Sequence, residues 1–259
     1  MRYFLLVLCM ILALPMSISA SSSNTPYNWG FAKNKDHVKP EVGKQYEEML
    51  KRQKSVYVGK DKNVYLTFDN GYENGYTPGV LDVLKKQNVT ATFFVTGQFL
   101  ESEPSLVKRM AKEGHIVGNH SWHHPDFTQV SDERLKKELK CVKDEYTKLT
   151  GKKEMRYLRP PRGVFSERVL EVARNEGYTT VFWSVAFVDW KTDQQKGWRY
   201  AYDNIMEQIH PGAVILLHTV SKDNAEALER AIIDLKKQGY KFKSLDHLLN
   251  EKQKEKSAD

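Results

Sequence analysis

Asn63-Val-Tyr-Leu-Thr-Phe-Asp-Asn-Gly71, with the Tyr76 to Gln87 segment that follows it, is the stretch on which the fold turns. Asn63 to Phe68 is short, β-branched and aromatic, the composition of a buried strand. Val80, Leu81 and Leu84 then recur at helical spacing, so a strand hands over to an amphipathic helix. A hairpin at Asp69-Asn70-Gly71 is disfavoured, because the segment after the turn is helical rather than a second strand.

The same alternation continues along the chain. Thr92 to Val95 reads as a second strand, followed by a helix near Pro104 to Glu113 that stops at Gly114. His115 to Gly118 is a third strand. Ser131 caps a long helix to about Thr150, with Asp132 and Glu133 in the first turn, where the helix dipole favours acids. Met155 to Arg159 is a fourth strand, Thr180 to Val185 a fifth, and Ala213 to Leu217 a sixth, entered after Pro211-Gly212. Ser166 caps a helix that stops at Gly177, Asn224 to Gln238 is a helix ending at Gly239, and Tyr240 to Lys243 is a last strand. Upstream, residues 21–60 form a polar lead-in with Trp29 and Phe31 and a helix over Glu41 to Arg52. Repeated strand–helix units imply an α/β fold of parallel strands with right-handed crossovers, either a barrel or a doubly wound sheet.

The residues just past each strand favour the barrel. Asp69 and Asn70 follow the first strand, Asn119, His120 and His124 the third; Arg159 closes the fourth, Asp189 and Trp190 follow the fifth, and His218 ends the sixth. In a parallel barrel these ends converge on one face, where such folds build their sites. Taken singly, each residue has a plain reading beside the chemical one. Asp69 is a general base or a turn former. His120 and His124, four apart, would share one face of a helical turn and suit a divalent metal, or form a chance surface pair. His123 competes as a ligand but points about 100° away from His124 on a helix. His218 is a satisfied core residue, or a general acid held protonated by Asp189.

The first twenty residues follow another pattern. Arg2 supplies a positive start, Phe4 to Met16 a nearly unbroken apolar run, and Ser17-Ile18-Ser19-Ala20 small residues for cleavage, as in a secretory signal. The run is shorter than the roughly 20 residues of a membrane span. Export by a signal peptide over 1–20 is therefore expected, with action outside the cytoplasm. Cleavage would leave Cys141 as the one cysteine, too few for an internal disulfide, so stability has to come from the core. Formal net charge is +7, or +6 once Arg2 is removed, which fits either attraction to an anionic polymer or colloidal solubility. Nucleic-acid binding is not expected, because Lys and Arg alternate with Glu and Asp instead of forming a basic stripe. No protein partner is called for, and a monomer is expected.

Five motifs stand in a fixed order: Thr-Phe-Asp-Asn-Gly (67–71), His-Ser-Trp-His-His (120–124), Arg-Pro-Pro-Arg-Gly (159–163), Val-Asp-Trp (188–190) and Leu-Leu-His-Thr (216–219). In this the chain resembles the polysaccharide deacetylase (NodB-homology, carbohydrate esterase 4) family, from about Asn63 to Leu249. Residues 65–78 and 181–191 are similar to the spore-cortex branch, the muramic δ-lactam-forming N-acetylmuramate deacetylases. The resemblance implies a distorted (β/α) barrel over 61–250, with a charged tail at 251–259, that deacetylates N-acetylmuramic acid in peptidoglycan glycan strands. An N-acetylglucosamine or chitin-oligomer deacetylase and a non-catalytic glycan binder are the alternatives.

By the same resemblance Asp69 is the catalytic base, Arg159 the arginine that orients it, His218 the general acid and Asp189 the acid that tunes it. His120 and His124 are metal ligands, with Asn70 in the third ligand position, for zinc or another first-row divalent ion. Leu216 lines the acetyl pocket, and the backbone N–H of Arg162 is an oxyanion donor. Asn70 stands where the family has a second Asp, so the metal is expected to be held weakly, since hard divalent ions prefer carboxylate. Arg162 stands where the family often has an aromatic residue. It either reads the lactyl carboxylate of muramic acid, for which a guanidinium is well shaped, or pairs with a protein carboxylate such as Glu73 or Asp189. Trp122, Trp190 and Trp198, expected to be exposed, are sugar-stacking surfaces or core residues.

Overall fold

The computed structural model describes residues 22–33 and 36–256; the leader expected over 1–20 lies outside them. No helix among the described residues is long and apolar enough to cross a membrane. A short β1 (Tyr27–Asn28) and α1 (Lys44–Arg52) lead in. The repeating units follow: β2 (Asn63–Asn70), α2 (Thr77–Lys86), β3 (Thr92–Val95), α3 (Gly97–Ser102), α4 (Pro104–Lys112), β4 (Ile116–Asn119), α5 (Asp132–Thr150) and β5 (Tyr157–Leu158). The second half holds β6 (Val164–Phe165), α6 (Glu167–Asn175), β7 (Thr179–Thr180), α7 (Trp198–Gln208), β8 (Ala213–His218), α8 (Lys222–Lys237), β9 (Lys241–Phe242) and α9 (Leu245–Lys256).

The main sheet is parallel throughout, in the order β7-β5-β4-β3-β2-β8, with β9 alongside β2. Its two ends meet irregularly: past β7 the chain swings across to β8, where Val185 bridges Ile215. Val56 and Val58 of the lead-in bridge Val181 and Ala213 at the same seam. The strands therefore follow one another in chain order around a distorted barrel, the arrangement that right-handed crossovers favour.

Alternation along β2 separates two cores. Val64, Leu66 and Phe68 point outward into a layer with Leu81 and Leu84 of α2, Met110 of α4, Leu139 of α5, and Leu228 and Ile232 of α8. Tyr65 points inward and packs with Phe94, Tyr157, Val181 and Val214. Burial on both faces explains why β2 reads as an apolar run, each such side chain contributing roughly 1.5–3 kcal/mol. Inward packing is tight. A Cβ added to Gly118 would lie 2.6 Å from the Phe94 ring, so that position needs glycine to make room for the ring.

Several expectations change on contact with the structure. The strand expected over Thr180 to Val185 pairs regularly only at Thr179–Thr180, because the seam pulls the rest toward β8. Helices α3, α7 and α9 were not anticipated. The boundary at 250 falls inside α9, which runs on to Lys256, so 251–256 continue a helix instead of starting a tail. Trp29, Met49, Leu50 and Tyr57 of the lead-in pack with Phe165, Leu170 and Phe182, and β1 pairs antiparallel with β6, which joins the lead-in to the barrel.

Candidate active site

The inward parity of β2 sets the position of Asp69, two residues beyond Thr67 and four beyond Tyr65. In register it stands opposite Phe94 on one side and His218 on the other. Arg159 is fully buried beside it: Nη1 donates to Asp69 Oδ1 at 2.7 Å and to Thr67 Oγ1 at 2.9 Å, and Nε donates to the Val181 carbonyl at 3.1 Å. The guanidinium also lies over the Phe94 ring, 4.3 Å from its centroid, so Gly118 supports Arg159 through Phe94. Burial alone would lift the Asp69 carboxyl. The charges of Arg159, His120 and His218 outweigh it and hold the group below the usual carboxylate range. Asp69 is thus an ionised acceptor with one oxygen fixed and the other, Oδ2, 3.6 Å from His120 Nε2.

His120 and His124 meet, but not on a helical turn as expected. The segment is an irregular loop in which Ser121 and His124 take positive φ (68° and 58°). Asn119 Oδ1 accepts from the Ser121 N–H, and Ser121 Oγ accepts from the His124 N–H, closing the loop on itself. The two Nε2 atoms are 3.2 Å apart. His120 Nδ1 donates to the Arg159 carbonyl at 2.8 Å, which leaves its Nε2 with the lone pair. Burial pushes His120 down; His124, whose outer edge reaches solvent, is pushed down to about 4 by desolvation within the cleft and then by His120. His123 turns the other way, its Nδ1 2.8 Å from Glu138, and does not join them.

The donor set fits a divalent ion. An ion roughly 2.0–2.1 Å from each Nε2 would see the two nitrogens about 100° apart, close to tetrahedral. Among the described residues no group of three or more His, Cys, Asp or Glu is arranged to hold a metal, and a neutral side-chain oxygen could complete the donor set. Asn70 offers one: it is fully buried, and its Oδ1 has no hydrogen-bond partner.

On the opposite strand, His218 Nδ1 lies 2.7 Å from Asp189 Oδ1, and the His218 backbone N–H donates to Asp189 Oδ2 at 2.8 Å. Burial by itself would lower this imidazole. The charge and hydrogen bond of Asp189, with Asp69 adding to them, reverse the sign and raise it, so the protonated form is favoured. With Nδ1 committed to Asp189, Nε2 is the atom free for a ligand. Leu216 shares the inward face of β8 two residues below His218 and is buried. Trp190 is half-exposed, its ring 5.6 Å from that of His218.

Other expectations need correction. Arg162 does meet a protein carboxylate, but it is Asp126, at a loose 3.8 Å, rather than Glu73 or Asp189, and its side chain is 57% exposed. Only Trp190 of the three tryptophans is exposed. Trp122 packs on Gly97, and Trp198 sits at the start of α7 under Arg230, half-buried against the outer core.

Sequence reading passed over three buried polar residues. Glu138 of α5 accepts from the backbone N–H groups of Trp122 and His123 and so braces the histidine loop. Its signal was an acid on the apolar stripe of Leu135, Leu139 and Val142. Asn224, at the third position of α8, donates to Asp189 Oδ2 at 2.5 Å and to the His218 carbonyl. Thr219 meets the Asn70 amide. Asn224 carries no local sequence signal, and Thr219 stands in the Leu-Leu-His-Thr motif without a role read from it. Two cavities, about 340 and 680 Å³, meet at His115 on the turn into β4, at the opposite end of the strands, and include none of these groups.

Residues 57–181 match the polysaccharide deacetylase family. The chain is 60% identical over 232 residues to the peptidoglycan-N-acetylmuramic acid deacetylase PdaA of Bacillus subtilis, covering 89% of this chain and 88% of that one. The solved structure of B. subtilis PdaA, a family 4 carbohydrate esterase, superposes with a TM-score of 0.87 at 59% identity, over 89% of this chain and 99% of that one. A family 4 carbohydrate esterase from Bacillus anthracis superposes with a TM-score of 0.76 at 51% identity, over 88% and 98%.

Proposed function

The chain belongs to the polysaccharide deacetylase family, and from that premise we propose that it hydrolyses the acetamide of N-acetylmuramic acid residues in peptidoglycan. One observation carries the reading. Asp69, held ionised by Arg159, and His218, paired with Asp189, occupy register-opposed positions on adjacent strands, beside two imidazole nitrogens 3.2 Å apart. A pure binding protein has no use for both a buried base and a buried acid.

The reaction divides among these groups by their protonation. Asp69 takes a proton from water as the water oxygen bonds to the acetyl carbon. The charge that develops on the carbonyl oxygen is met by the backbone N–H of Arg162, whose left-handed φ of 58° follows from the tight turn ahead of Gly163. His218 then gives its proton to the nitrogen as the C–N bond breaks, releasing acetate and leaving the free amine. Arg159 and Asp189 keep base and acid in opposite protonation states, and Leu216 lies where the acetyl methyl needs an apolar wall. His120, His124 and the Asn70 oxygen would hold a divalent ion. When bound, it would supply Lewis acidity that makes water easier to deprotonate and the carbonyl easier to attack. Asn70 in place of a carboxylate supports weak retention of that ion.

Arg162 supports muramic acid over glucosamine. Its guanidinium is exposed and loosely paired, and it lies close enough to His124 to lower that imidazole's pKa. The lactyl carboxylate that distinguishes muramic acid would find there two parallel donors. The stretches that resemble the spore-cortex branch support cortex glycan as the setting and δ-lactam formation as the fate of the freed amine. Export by the leader at 1–20 fits a wall substrate.

Acetate release from peptide-stripped muramyl glycan, set against release from chitin oligomers, tests the assignment, with fragments weighed by mass spectrometry with and without chelator. Release from muramyl glycan that chelator abolishes is expected; equal turnover of chitin oligomers sinks the substrate assignment. Arg162→Leu is expected to erode the preference for muramyl units, and full retention of that preference would remove Arg162 from the argument.

A further inference from the structure

Asn70 raises a question that a carboxylate would not. A carboxylate offers two equivalent oxygens, whereas an amide offers one acceptor and one donor, and its NH2 end cannot ligate a cation. The structure holds this amide from one side. Asn70 Nδ2 donates to Thr219 Oγ1 at 2.6 Å, and Thr77 Oγ1 donates to the same Thr219 oxygen at 2.7 Å. All three side chains are fully buried. The Thr219 oxygen, with both lone pairs taken, has no reason to turn its own proton toward Asn70. The atom left over is Asn70 Oδ1, buried and without a partner. An unpaired buried acceptor costs about 1–3 kcal/mol unless something meets it.

We infer that Thr219, set by Thr77, acts as a positioning residue that locks the Asn70 amide with its oxygen, not its NH2, presented to the ion. This rests on the metal-assisted reading above and assigns to two buried hydroxyls the role that carboxylate symmetry would otherwise make unnecessary. The segments involved are distant in sequence: Thr219 follows His218 at the end of β8, and Thr77 is the first residue of α2. If the Thr77 hydroxyl is removed, Thr219 is free to rotate and donate, which favours the flipped amide. If the Thr219 hydroxyl is removed, Nδ2 is orphaned and the amide has nothing to choose between its two orientations.

The test is zinc titration by calorimetry of the chelator-stripped chain, which reads the site without reference to turnover. Thr219→Val is expected to weaken zinc binding roughly tenfold, the loss of one buried hydrogen bond, and Thr219→Ser to restore it. In the Asn70→Asp background the same Thr219→Val change is expected to leave zinc affinity unchanged or raise it, because either oxygen of a carboxylate can ligate and one freed of a donor is the better ligand. Thr77→Val is expected to repeat the pattern, and it carries the comparison if Thr219→Val does not fold. Equal loss in both backgrounds, or no loss with Asn70 present, overturns the inference and leaves the deacetylase reading standing. Failure of the parent chain and of Asn70→Asp alike to bind zinc overturns both.

Discussion

Replacing Arg159 by Met tests whether the base is held ionised by one buried cation. Methionine keeps much of the length and apolar contact over Phe94 and removes the charge. Asp69 is then a buried carboxylate without its partner, and breaking such a pair typically costs about 3–5 kcal/mol. Protonation limits that cost. Above an unfolded-state pKa of about 3.9, taking up a proton costs about 1.4 kcal/mol per pH unit, hence about 4 kcal/mol at pH 7 and about 1.5 at pH 5. The sign follows from the direction of the shift. In the parent chain the Asp69 pKa is lowered, so its contribution is full above the unfolded pKa and is lost only as pH falls through the folded one. Between pH 5 and 7 the parent pair is therefore intact, while the variant recovers as pH falls. Urea denaturation of both chains should show Arg159→Met destabilised by about 3–5 kcal/mol at pH 7 and by roughly 2–3 kcal/mol less at pH 5. Adding Asp69→Asn to the variant should recover stability at pH 7, and acetate release should fall by at least about a hundredfold, as for loss of a general base. A destabilisation independent of pH, or one that Asp69→Asn does not relieve, would refute the electrostatic account and leave Arg159 as a packing residue.

Three further outcomes follow from the site. Asp189→Asn removes the charge that raises His218, and with protonated His218 as the proposed acid, the alkaline limb of kcat/KM should move to lower pH; an unmoved limb would assign it to another group. Glu138→Gln should lower zinc affinity about tenfold by loosening the loop that carries His120 and His124, with titration against a thermal melt separating this from general unfolding. Gly118→Ala forces a methyl to within 2.6 Å of Phe94 and should cost about 1–3 kcal/mol as an overpacked core, read by urea midpoint; a neutral result would mean that the ring under Arg159 is free to move.

Strand and helix identity was legible because period and punctuation are local. The apolar run of β2, the Ser131 and Ser166 caps, and the stops at Gly114, Gly177 and Gly239 all depend on a few neighbouring residues. Parallel order followed from alternation, and convergence of Asp69, His120, Arg159, Asp189 and His218 followed from parallel order. What lay beyond local pattern was contact between segments. The lead-in docks through scattered aromatics such as Trp29 and Tyr57 that have no period, and the fifth strand frays because the seam, not its own sequence, sets its hydrogen bonds.

The order of the motifs and the residue types they carry were thus properties of the chain alone, and they were enough to bring two carboxylates, a guanidinium and three imidazoles to one end of the strands. Which way each one faces was a tertiary decision. His124 joins His120 through two left-handed backbone turns that no helical wheel describes, Arg162 pairs with Asp126 rather than either acid first considered, and the Asn70 amide takes its direction from a threonine 149 residues away. Side-chain direction depends on the last hydrogen bond available in a buried space, and that partner is chosen by packing rather than by neighbours in sequence.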